Sequence, residues 1–184
     1  RVAGEVIGLR RDKSSLPALR QLLSKPKEPE DVRIALEAID QIEGPVSSWL
    51  KELAGFAVSD DLDVRNAAIS ILGAARDKRH LPVLLTALKH SDWSTRLLAV
   101  QALAALRDGS AVAHLIERVA MESGRMKKEV AQALWLLTAQ PFDEDEDKWA
   151  DWWRVAKKDF KVATADELEE AETARERRRL PQRT

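Results

Sequence analysis

Over roughly the first 140 positions, apolar residues recur at helical spacing in stripes that repeat. A basic residue followed by small and aliphatic side chains stands at Arg1, Arg33, Arg65, Arg96 and Lys128, at intervals of 32, 32, 31 and 32. A period of this length marks a stacked array in which each unit buries its apolar face on the next. Three residues beyond the anchors stand Gly4, Leu36, Ala68, Ala99 and Ala131, and six beyond stand Ile7, Ile39, Ile71, Ala102 and Leu134. These offsets share one helical face. Val32 and Val64 ahead of their anchors, with Ala35, Ala67, Leu98 and Val130 two after, complete the buried stripe. Each anchor is predicted to open a helix of about four turns.

A shorter amphipathic segment accompanies each anchored helix, over 15–23, 45–58, 81–88 and 110–121. Pro17, Pro45 and Pro82 fall in first turns, where a missing N–H costs nothing. Asp12, Asp77 and Asp108 sit in the polar turns within the units, and Asp60, Asp61 and Asp92 precede anchored helices. Such acids are placed to cap helix N-termini, and an Arg recurring once per unit is placed to bond turn carbonyls or a neighbouring acid.

The phrases Asp61-Leu62-Asp63-Val64-Arg65-Asn66-Ala67-Ala68-Ile69-Ser70-Ile71-Leu72-Gly73 and Leu81-Pro82-Val83-Leu84-Leu85-Thr86-Ala87-Leu88 resemble HEAT repeats, close to the short bacterial type named after phycobilisome lyases. The resemblance covers about residues 1 to 140, and the second unit departs from it, with Gly44-Pro45 in its turn and Trp49 in its helix. It implies an all-α fold: a solenoid of antiparallel helix pairs wound into a right-handed superhelix, with the anchored helices lining the concave side. Ile34, Glu37, Arg65, Asn66, Ile69, Arg96, Leu97, Val100 and Gln101 then become the candidate partner-binding groove. Ile34, Ile69, Leu97 and Val100 would supply an apolar strip for a peptide or helix, and Arg65 and Arg96 would orient acidic groups. The competing structural reading is that these side chains complete the packing between helices.

A stacked array needs its last apolar face covered. Trp135 and Phe142, then Trp149, Trp152 and Trp153 at i, i+3 and i+4, predict an aromatic closing helix. The spacing from Thr138 resembles the segment ending many bacterial HEAT-repeat proteins, with Ala139 where Gly is usual. The acids 143–147 have no Gly turn for a calcium loop and suit a helix N-terminus instead. Domain 1–160 is therefore expected to be solenoid plus cap. Residues 161–184 are expected to be a charged tail, a solvated helix or disordered, with Thr164 and Glu167 forming a capping box.

Composition narrows the function. The chain has 184 residues, 45% hydrophobic and 33% charged, enough for a substantial core. A formal net charge of −1 argues against nucleic-acid binding through phosphate attraction. Without Cys there is no disulfide and no thiolate metal site. No apolar run reaches the ~20 residues of a membrane span. His80, His90 and His114 lack metal-ligand spacing, and no phosphate loop or nucleophile elbow occurs, so no catalytic residue, cofactor or metal is assigned.

The expected function is a non-catalytic protein-interaction module, with a structural spacer in a larger protein as the alternative. A further alternative is a HEAT-type DNA-repair glycosylase, whose basic, aromatic groove the groove residues do not supply, or a lyase subunit, whose activity usually requires a partner subunit. A cytoplasmic location is the default, with an upstream targeting segment left open because the chain starts inside a repeat. Val2, Val6, Ile7 and Leu9 form an open N-terminal face through which the chain is expected to self-associate.

Overall fold

The computed structural model describes residues 12–44 and 47–179. Arg1, Gly4, Ile7 and the expected self-association face (Val2, Val6, Ile7, Leu9) lie outside the described residues. Those described form α-helices joined by short turns, with no strand among them. In chain order the helices are α1 (Leu16–Ser24), α2 (Pro29–Glu43), α3 (Ser47–Phe56), α4 (Leu62–Ala75), α5 (Leu81–Ala87), α6 (Trp93–Leu106), α7 (Ala111–Met121), α8 (Gly124–Thr138), α9 (Glu146–Ala156) and α10 (Ala165–Arg179). Single 3-10 turns precede α1 and α5, at Lys13–Ser15 and Lys78–His80.

The acids do what a helix N-terminus requires. Asp61 accepts from the Val64 N–H at 3.0 Å and Asp92 from the Thr95 N–H at 3.0 Å, each satisfying a donor with no partner inside its helix. Asp12 and Asp77 cap the two 3-10 turns through the Ser14 and Arg79 N–H groups, and Asp108 accepts from the Ser110 N–H. Gly44, at φ +67 and ψ −161, ends α2 in a conformation that is essentially glycine's alone. Ala139 closes α8 in the left-handed helical region, at φ +56.

The chain divides into two compact units, Arg1–Ala105 and Leu106–Thr184. In the first, α1 packs on α2, and α2 and α3 both pack on α4. Its core holds Leu36, Ile39, Trp49, Leu53, Ile69, Leu72, Leu84 and Leu103, all fully buried. In the second, α7 packs on α8 and α9 on α7. Trp149 of α9 is wholly buried there, and its Nε1 donates to the Asp143 carbonyl at 2.8 Å. Around it, Phe142, Trp152, Trp153 and Phe160 make a chain of mostly edge-on ring contacts, with centroids 5.0 to 6.2 Å apart. Trp135 lies apart from these rings, half-buried on α8.

The segment after Phe160 is partly docked. Ala163 is buried and donates its N–H to the Leu137 carbonyl at 2.9 Å, and α10 follows as a helix.

Candidate interaction surface

The buried positions of the four anchored helices place the units in register. Ala35, Ala68, Ala99 and Val130 are equivalent, and so are Leu36, Ile69, Val100 and Ala131; all eight are buried. The spacings are 33, 31 and 31, where the basic anchors gave 32, 31 and 32. Arg65 and Arg96 therefore correspond to each other, while Arg33 and Lys128 each stand one position later in their own units. Lys127, on an ion pair with Glu146 at 2.8 Å, holds the place equivalent to Arg96.

This one-residue shift rotates the expected groove by about 100° at those units. Ile69 is 0% and Val100 1% exposed, so both belong to the packing between helices and are corrected out of the surface strip. Ile34 and Leu97 are half-buried. Arg65 is 6% exposed; its Nη1 donates to the carbonyls of Ser59 and Asp60, and its Nε to Thr95 Oγ1 at 3.1 Å. Arg96 repeats the pattern on the carbonyls of His90 and Ser91. These guanidiniums hold turns together.

Asn66 bridges two helices, donating to Ser94 Oγ at 2.9 Å and accepting from Thr95 Oγ1 at 2.8 Å. Glu37 accepts from Arg33 on its own helix at 2.9 Å. What faces outward is the next position around. Glu37, Ser70, Gln101 and Gln132 are equivalent, and the last three are exposed. Of the expected groove residues, Gln101 alone is fully exposed.

In the first unit this row opens into a shallow trough of about 360 Å³ between α4 and α6, lined by Ser70, Gly73, Ala74, Leu98, Gln101, Ala102 and Ala105, with Arg76 at its end. The two helices approach closely there: a Cβ on Gly73 would lie 2.7 Å from the Ala102 Cβ. Small residues make the floor, and an amide, a hydroxyl and a guanidinium make the rim. Ser70, Gly73, Ala74 and Ala105 were not assigned to the groove from sequence. The signal that would have found them is the buried register of Ala68, Ala99 and Val130, which is independent of charge.

Among the described residues no three His, Asp or Glu side chains gather as a metal site. His80 is buried, and its desolvation lowers its pKa against the pull of Asp77; His90 accepts from the Asp92 N–H. No helix among the described residues is long and apolar enough to cross a membrane.

Compared with known proteins, residues 46–135 match the family model of HEAT repeats, which covers α3 to α7 whole and most of α8. No curated protein sequence matches the chain.

Proposed function

We propose that this chain, an all-α solenoid of HEAT repeats over residues 46–135, is a non-catalytic module that holds a segment of another protein on the outward row of its anchored helices. The observation carrying this reading is the trough between α4 and α6. It has a floor of small side chains with hydrogen-bonding groups of Ser70, Gln101 and Arg76 around it. Such a surface suits an extended peptide better than an apolar helix. Main-chain amides can bond the rim, and the floor admits a backbone at close range, whereas an amphipathic helix needs an apolar strip that Ile69 and Val100 do not provide. Within the family we place these repeats with the short bacterial type, on the phrases at 61–73 and 81–88, and read α9 as a closing segment.

Two surface changes test it. Ala74→Trp fills the floor and Gln101→Glu alters the rim, and neither touches a wholly buried position. Affinity capture with the parent should retain a protein that the double variant, folded by circular dichroism, loses by at least tenfold. Equal recovery by both would remove the trough from the binding surface.

A further inference from the structure

Helix α10 is polar almost all round. Asp166, Glu167, Glu169, Glu170 and Glu172 fill its first half, Arg175 and Arg177 follow, and Leu168 is the one large apolar side chain among residues 165–177. A capping box starts it: Glu167 accepts from the Thr164 N–H at 2.7 Å, and Thr164 Oγ1 accepts from the Glu167 N–H at 3.2 Å. The root is firmly held. Besides the Ala163 bond to Leu137, the Arg107 guanidinium donates to the carbonyls of Ala163 and Leu136, and the Phe160 ring covers Gly109.

Beyond the root the grip is slight. No described side chain of α10 is buried, but Leu168, Ala171, Glu172 and Arg175 are half-buried. Their i, i+3, i+4, i+7 spacing is one face of a helix laid against the unit. At the far end the Arg175 guanidinium pairs with the carboxylate of Asp143, 32 residues earlier. The pair flanks a cleft of about 370 Å³ whose opposite side is Lys128, Ala131, Gln132 and Trp135 of α8. Lys128 and Gln132 are the counterparts of Leu97 and Gln101, so α10 lies beside the outward row of α8.

We propose that α10 is a displaceable strap beside the outward row of α8, closed by Arg175 on Asp143. A 15-residue helix with little to bury is marginal on its own, and a partly exposed ion pair adds little. The distal half of α10 therefore opens at far lower free energy than α7 or α8, whose apolar faces are buried. Opening frees Lys128, Gln132 and Trp135 for a ligand of the row. That consequence rests on the row being the binding face; the strap itself does not.

Amide hydrogen exchange on the whole chain, with no ligand present, separates the two. Asp143→Asn removes the charge while keeping a residue suited to the left-handed φ of +48° at that position. In this variant the amides of 170–179 should exchange about two- to fivefold faster, with α7 and α8 unchanged. Arg175→Gln should do the same, and the double variant should add nothing further. Raising salt should speed the parent's distal amides, and those of Asp143→Asn much less. Unchanged exchange over 170–179 in both variants would overturn the strap. So would an equal rise across α7 and α8, which would mean the pair supports the whole unit.

Discussion

Arg65 and Arg96 use the same nitrogen, Nη1, on the carbonyls five and six residues before them, which makes the guanidinium a turn clamp. The acids beside these turns work with them. Asp92 and Asp77 are held down to about 2 by hydrogen bonds from Ser94 and Thr95 and from Arg79 respectively. Their contribution is complete above the ordinary carboxylate range and is lost as pH falls toward 2. His80 acts nearer neutrality. Its folded pKa is lowered chiefly by burial, and its Nε2 has no hydrogen-bond partner, so the unfolded chain takes up the proton more readily. Stability should fall as pH descends through about 6.5. Thermal melts at pH 7.5 and 5.5 should show this loss in the parent, and a smaller one in His80→Gln; identical losses would remove His80 as its source.

At the scale of the element, the approach of α4 to α6 depends on Gly73. A Cβ there would meet the Ala102 Cβ at 2.7 Å and its Cα at 3.0 Å, and the Cα is backbone that cannot rotate away. Gly73→Ala should therefore cost about 1–3 kcal/mol in urea unfolding, despite the better helix propensity of Ala. Gly55→Ala in α3, with nothing within 4 Å of the added methyl, should be neutral or stabilising. If the two variants unfold alike, close packing at Gly73 is not what limits the helix spacing. The same helices show how far the sequence could be read. Helix existence, order and capping acids were legible because each is set by neighbours within a few residues. The face turned outward was not, since four residues after Arg65 and Arg96 stand the buried Ile69 and Val100, while four after Arg33 and Lys128 stand Glu37 and Gln132 of the outward row.

At the scale of the whole molecule, each unit carries its own core, and in Leu106–Thr184 the largest fully buried side chain is Trp149. Trp149→Ala should cost about 3–5 kcal/mol. In a repeat array stability is roughly a sum of local terms, so hydrogen exchange should show α7 to α9 losing protection first. Uniform loss over the chain would indicate a single cooperative unit. Trp149→Phe should lose less, because the ring contacts with Phe142 and Trp152 persist while the bond to the Asp143 carbonyl is gone.

Amphipathic period, helix caps, the aromatic cluster near residues 142–160 and the absence of thiol chemistry were all determined by the amino-acid sequence itself. Each depends on spacing along one chain or on composition. Tertiary structure decided which side chains of the anchored helices meet solvent. Residues one position apart on a helix differ by about 100°, and only the neighbouring helix selects between Ile69 and Ser70 as the outward side chain. It likewise decided that Arg175 meets Asp143, because a pairing 32 residues apart follows from where two helices lie and leaves no periodic trace.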